Sequence, residues 1–73
     1  MTEVFIDTPY VMLQQLLKME NIVSSGGQVK WFLQENQVMV NGEHDDRRGR
    51  KLYPGDEIAV PDFGSFVIRA HEA

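Results

Sequence analysis

The sequence has no cysteine. That excludes a disulfide framework and any zinc site built on thiolates. Long apolar runs are missing too, and every hydrophobic stretch falls far below the ~18 residues a transmembrane helix needs. The opening "MTEVFIDTP" lacks the basic-then-apolar plan of a secretory signal, so a soluble cytoplasmic protein with no membrane partner is expected. Positive charge is scarce: 7 Lys and Arg stand against 11 Asp and Glu, for a net charge of −4. A protein that coats nucleic acid along its whole surface is thereby excluded, and any such binding must be confined to a patch. The 73 residues leave room for one domain, residues 1–73. A chain of this size buries only ~60% of the surface it exposes when unfolded, so its stability margin is thin.

The scarce positive charge is unevenly spent. Four of the seven basic residues, Arg47, Arg48, Arg50 and Lys51, crowd into five consecutive positions of "HDDRRGRKLYPGD", residues 44–56.

The surrounding pattern reads as a small α+β domain. Residues 3–6, "EVFI", have the composition of a short strand. Thr8 suits an N-cap and Pro9 a first helical position, which predicts a helix from Pro9 to about Glu20 with Leu13, Leu16 and Leu17 facing inward. A second helix opens at "SSGGQ", where Ser25 and Gln28 have the spacing of a capping box. Val29, Phe32 and Leu33 form its apolar stripe, and it stops near Asn36. Val38 and Val40 alternate into Asn41-Gly42, a strong hairpin signal. A polar loop from Glu43 to Lys51 follows, then a turn at Pro54-Gly55-Asp56 and two strands, "EIAV" and "FVIRA", around a bend at "PDFGS". The expected order is β-α-α-β-loop-β-β, with two helices packed on a small antiparallel sheet.

Nothing in the sequence forms a nucleophile motif, and no enzyme activity or cofactor is expected. "EHDD" at 43–46 holds potential metal ligands, but adjacent side chains of one loop rarely converge on a single ion, so no metal is assigned. "DFG" at 62–64 matches a kinase tripeptide in a chain too short for the other kinase elements, and reads as a turn.

Three features point to RNA instead. Gly26 and Gly27 stand in the first turn of the second helix, where bare backbone N–H groups and the helix dipole can meet a phosphate; the alternative is a cap or tight packing against the first helix. On a helical wheel Trp31 lies opposite the apolar stripe, with Gly27, Lys30 and Gln34 on the same outward half. An exposed Trp beside a Lys suits base stacking with phosphate contact, unless a terminus or the long loop covers the ring. The 47–51 loop is arginine-rich, and the guanidinium fork suits bidentate phosphate contact. Glu43, Asp45 and Asp46 stand just upstream and offer the same arginines an internal fate, in ion pairs that would withdraw them from RNA.

The span from Leu13 to Ile58 resembles the S-four-type RNA-binding domain, also called the αL motif. The resemblance lies in two helices, "VMVNG" at 38–42 and "GDEI" at 55–58; "SGGQVKWFL" and "RRGRKLYPGD" are similar to its small stand-alone YaaA-type branch. It implies binding to structured RNA, ribosomal RNA or tRNA, through the two helices and the following loop. Ser25 and Lys30 match the family's second-helix pattern, while Gly26 replaces its usual Arg and Met12-Leu13-Gln14 replaces its usual Arg-Leu-Asp. The arginine loop then takes over charge the helices have given up. The expected RNA-binding residues are Gly26, Gly27, Lys30, Trp31, Arg47, Arg48, Arg50 and Lys51. A protein-interaction adaptor that kept the fold is the second expectation, supported by the missing helix arginines and an exposed Trp31. DNA ranks below both, because nothing points to a groove-reading helix.

Overall fold

Period-two alternation puts Val4 and Ile6 of the first strand, β1 (Thr2–Ile6), on one buried face. The computed structural model describes residues 1–71. After β1 come a two-residue strand β2 (Val11–Met12) and two helices, α1 (Leu13–Met19) and α2 (Gly26–Glu35). Strands β3 (Met39–Val40), β4 (Glu43–His44), β5 (Lys51–Leu52), β6 (Glu57–Val60) and β7 (Gly64–Ala70) follow. Five strands form one sheet in the order β1-β7-β6-β3-β4, and β2 and β5 form a separate antiparallel pair.

The α+β class and the two helices agree with the sequence pattern. The sheet differs in two respects. It is mixed, because β1 runs parallel to β7, with Thr2 opposite Phe66 and Ile6 opposite Ala70. The expected 43–51 loop also gives up both ends: Glu43–His44 pairs with β3 as the edge strand β4, and Lys51 joins β5 of a second small sheet. A single core joins its inner face to the helices through Leu13, Leu16, Leu17, Val29 and Leu33, packed with Val40, Ile58, Phe66 and Ile68. Phe32 is only half-buried at the edge of this core, edge-on to Phe63 with ring centroids 6.1 Å apart.

The first helix starts four residues later than expected. Val11 is buried and pairs with Leu52, which holds the chain extended up to Met12 and leaves Thr8 to donate a hydrogen bond to the Tyr10 carbonyl instead of capping a helix. The first N–H groups of α1 are satisfied across the fold: Leu13 N donates to Arg50 O at 2.8 Å and Gln14 N to Arg48 O at 3.0 Å. The Gln15 side chain accepts from Met12 N at 2.8 Å. At the far end Asn21 adopts φ 57°, and Ile22 N and Val23 N both return to Leu17 O, a helix stop that Asn tolerates well. The second helix ends at Asn36 as expected, but its entry differs: Gln28 Oε1 accepts from Ser24 N and Ser24 Oγ, not from Ser25. Ser25 still occupies the N-cap position, in extended conformation.

The hairpin at Asn41-Gly42 has φ of 52° and 83°, the left-handed pair that a tight β-turn between right-twisted strands requires. Asn41 also reaches the next turn. Its Nδ2 donates to Asp56 Oδ1 at 3.1 Å, its Oδ1 accepts from Glu57 N at 2.9 Å, and Asp56 Oδ2 accepts from Tyr53 N at 2.7 Å. "VNG" and "GD" are thus one hydrogen-bonded unit that fixes the distal end of the 43–56 segment.

Candidate nucleic-acid interface

Residues 45–50 run from β4, at the edge of the five-stranded sheet, to β5 of the separate β2–β5 pair, and one carboxylate organises them. Asp45 is buried, at 6% exposure, and its backbone N–H donates to Val38 O. Its Oδ1 accepts from Arg47 N at 2.9 Å and Arg47 Nε at 3.1 Å. Its Oδ2 accepts from Arg47 Nη2 at 2.8 Å and Arg50 Nη1 at 2.7 Å. The Arg47 side chain, foremost, holds the Asp45 carboxyl well below the usual carboxylate range, against the opposing pull of burial; Arg50 adds to the lowering. Asp45 raises the Arg47 pKa in return.

The internal fate that the upstream carboxylates offered is therefore partly realised. Arg47 and Arg50 pair with Asp45, so half of the loop's four cations also build the loop, while Arg48 does not join them. Asp45 lies on the inner side of the chain, and two guanidinium groups can share one carboxylate there. Their positions differ, however. The Arg47 side chain stays 69% exposed while paired, against 31% for Arg50. Arg48 and Lys51 are exposed and form no ion pair among the described residues.

Two adjoining grooves border the loop and share Arg47 and Gly49. One is lined by Lys30, Gln34, Asp46, Arg47, Arg48 and Gly49, the other by Arg47, Gly49, Arg50, Lys51, Tyr53 and Asp56. Five of the chain's seven basic residues thus meet on one surface, and each groove sets three cations against one carboxylate. Lys30 of α2 is brought to the loop. Trp31 is not: it is 65% exposed, so nothing in the described residues covers it, yet it lines neither groove.

Gly26 and Gly27 also lie outside the grooves, at the start of α2. Neither has a positive φ, and a Cβ on Gly27 would meet nothing within 4 Å, which removes tight packing as the reason for a glycine there. A Cβ on Gly26 would sit 3.6 Å from Lys18 Nζ, an ordinary contact. Lys18, in the last turn of α1, therefore adds a cation beside the α2 N-terminus that helical periodicity alone did not single out. Tyr10 and Tyr53 were missed as well; they meet because β2 pairs with β5, and sequence spacing gives no sign of that pairing. The metal candidates do not gather: among the described residues no three His, Asp or Glu side chains could hold one ion. No helix among them is long and apolar enough to cross a membrane.

Comparison with known proteins identifies the family. The S4 domain pattern matches residues 4–69. The chain is also similar to a Bacillus subtilis protein named "Probable ribosome maturation protein RlbA", with 52% identity over 63 residues, covering 86% of this chain and 89% of that protein. The family resemblance carried by "VMVNG" and "GDEI" holds over nearly the full length: the chain belongs to the S4 domain family.

Proposed function

We propose that the protein is a non-enzymatic RNA-binding domain that grips the phosphates of a folded RNA with the 47–51 loop and Lys30. The observation that carries this is the gathering of five of seven cations around two adjoining grooves on a chain of net charge −4. Such focusing raises local affinity for a polyanion while the acidic remainder limits binding elsewhere. The name of the Bacillus relative makes ribosomal RNA the first RNA to test, with tRNA second. In this reading Arg48, Lys51 and Lys30 neutralise phosphates, and Arg47 offers its free guanidinium edge while Asp45 fixes the other. Gly26 and Gly27 leave backbone N–H groups open to a further phosphate, and Trp31 supplies a stacking face farther along α2.

Four contacts of this kind give a log–log dependence of affinity on salt with a slope of roughly −3 to −4. The test is a titration of the protein with a ribosomal RNA fragment, a tRNA and a DNA duplex at several salt concentrations. Beside it runs the double variant Arg48→Gln, Lys51→Gln, which spares the Asp45 pairs. The native protein is expected to prefer RNA, and the variant's slope to be shallower by about two. Equal slopes would remove these side chains from the contact.

Gly27→Ala gives an independent check. With no clash and an unstrained φ, alanine there should stabilise the helix by about 0.5 kcal/mol. If the bare backbone meets a phosphate, the same variant binds RNA more weakly, so thermal stability and affinity move in opposite directions. A rise in both would assign the glycine no part in binding.

An adaptor for a protein partner is the second reading, and Trp31 favours it. A ring 65% exposed and outside both grooves has the character of an interface anchor. Absence of RNA binding even at low salt would move the assignment there.

A further inference from the structure

The β2–β5 pair does more than close the loop. It sets Val11 opposite Leu52 and Met12 opposite Lys51, so the next residues along, Tyr10 and Tyr53, lie side by side with ring centroids 5.7 Å apart and planes tilted by 49°. Along β5 the side chains alternate: Leu52 is buried, while Lys51 and Tyr53 are exposed on the opposite side. Tyr53 therefore shares its groove with Arg47, Arg50 and Lys51, a space of about 700 Å³.

The two rings are not equivalent. Lys51 Nζ lies 5.0 Å from the centroid of Tyr10, a cation–π contact that occupies that ring and holds the lysine at the groove. Among the described residues Tyr53 has no such cap; it is 48% exposed against 37% for Tyr10, and it lines the groove. Tyr10 packs beside it. Gly49, which also lines the groove, adds no side chain to it, and a Cβ there would meet nothing within 4 Å.

A flat aromatic surface beside three cations fits one chemical unit in particular. A duplex offers phosphates but keeps its bases stacked on each other, out of reach of a ring. An unpaired nucleotide offers both a π-face and an adjacent phosphate. We propose that this groove takes a single unpaired nucleotide of the bound RNA, its base stacked on Tyr53 and its phosphate held by Arg50 and Lys51. The inference rests on the RNA-binding reading above and names what that surface selects: a bulge or loop residue, rather than continuous helix.

The experiment uses three RNA hairpins identical except at one position: fully paired, carrying one unpaired adenine, and carrying an abasic nucleotide in its place. The abasic hairpin keeps the extra phosphate and the backbone flexibility but has no base to stack. Native protein is expected to bind the unpaired-adenine hairpin about tenfold more tightly than either of the others, within the range of single base–aromatic stacks. Tyr53→Leu is expected to bring the three affinities together, and Tyr53→Phe to keep the preference, which assigns it to the ring and not the hydroxyl. Equal native affinity for the adenine and abasic hairpins overturns the stacking proposal while leaving phosphate binding by the loop in place. Binding of none of the three at low salt overturns both. Where Tyr53→Leu proves unstable, equal native affinity for the adenine and abasic hairpins still overturns the proposal, and so does an adenine preference that is lost in Trp31→Ala, which would assign the stack to Trp31.

Discussion

Asp45→Asn is expected to lower the melting temperature by roughly 10 °C at neutral pH, corresponding to about 2 kcal/mol in a domain of this size. The substitution keeps the shape of the side chain and one acceptor for Arg47 N. It replaces the other oxygen with an N–H donor facing two guanidinium groups, or presents the amide to Arg47 N if it turns over. Either way a buried acceptor position is lost. Water can re-solvate Arg47, which limits the penalty; Arg50, less exposed, is the more affected partner. RNA affinity is expected to fall as well, although the variant carries one negative charge fewer, because the arginines are no longer held in position. Tighter binding by the variant would show that charge alone matters in this loop.

The pH dependence of the same variant checks the cause. The Asp45 carboxyl is depressed in the folded protein, so in the unfolded chain, with a pKa near 3.9, it takes up its proton at higher pH than in the native state. Its stabilising contribution is complete above about pH 4 and is lost as pH falls from there through the depressed folded value. Native protein and Asp45→Asn should differ most above pH 5, and the gap should narrow steadily below pH 4. A gap that stays constant from pH 7 to pH 2.5 would assign the destabilisation to something other than the ion pairs.

Leu52→Ala is expected to have the larger effect on stability. Leu52 is fully buried, and truncating a buried leucine removes about 2–5 kcal/mol. A domain of 73 residues has only about 4–11 kcal/mol in total, so the variant sits near the edge of folding. The damage also has a direction. Leu52 is the inward residue between Lys51 and Tyr53, and its strand pairs with Val11–Met12 at the start of α1. Loosening it releases both sides of the groove and the carbonyls of Arg48 and Arg50 that receive the first N–H groups of α1. A urea titration should show a lower midpoint with an unchanged slope, while Leu52→Met, which conserves volume, should stay within about 1.5 kcal/mol of the native protein. A midpoint for Leu52→Ala equal to the native one would place Leu52 outside the core.

What could be foreseen from the sequence was whatever depends on neighbours a few positions apart. Asn41-Gly42, the turn at Pro54-Gly55-Asp56, and the stripe of Val29 and Leu33 are local chemistry and lie where expected. The start of α1 departs from the local pattern because Thr8 and Pro9 carry a helix signal as strong as any in the chain, and a β-pair of Val11 and Met12 with the distant Leu52 and Lys51 overrides it. The loop shows the same limit more sharply. Three carboxylates stood upstream of the arginines, and nothing local distinguishes Asp45 from Asp46; only the fold turns one inward and leaves the other at the rim of a groove. The family membership was legible because it rests on the order of several short motifs. The pairing of Tyr10 with Tyr53 rests on none of them.

Every partner in the β1–β7 ladder stands 64 positions away from its mate, from Thr2 with Phe66 to Ile6 with Ala70. Strand β1 therefore leaves the ribosome long before its partner β7 and is among the last of these strands to be paired. Until residues 64–70 have emerged, Val4 and Ile6 have no strand to pair with, and the sheet can at most hold its β6-β3-β4 portion. Contacts of such long range make closure slow relative to local helix formation. The two helices and the Asn41 hairpin can assemble on the growing chain, but completion of the sheet follows the synthesis of β7, and the native state is reached by a late docking of β1 on β7.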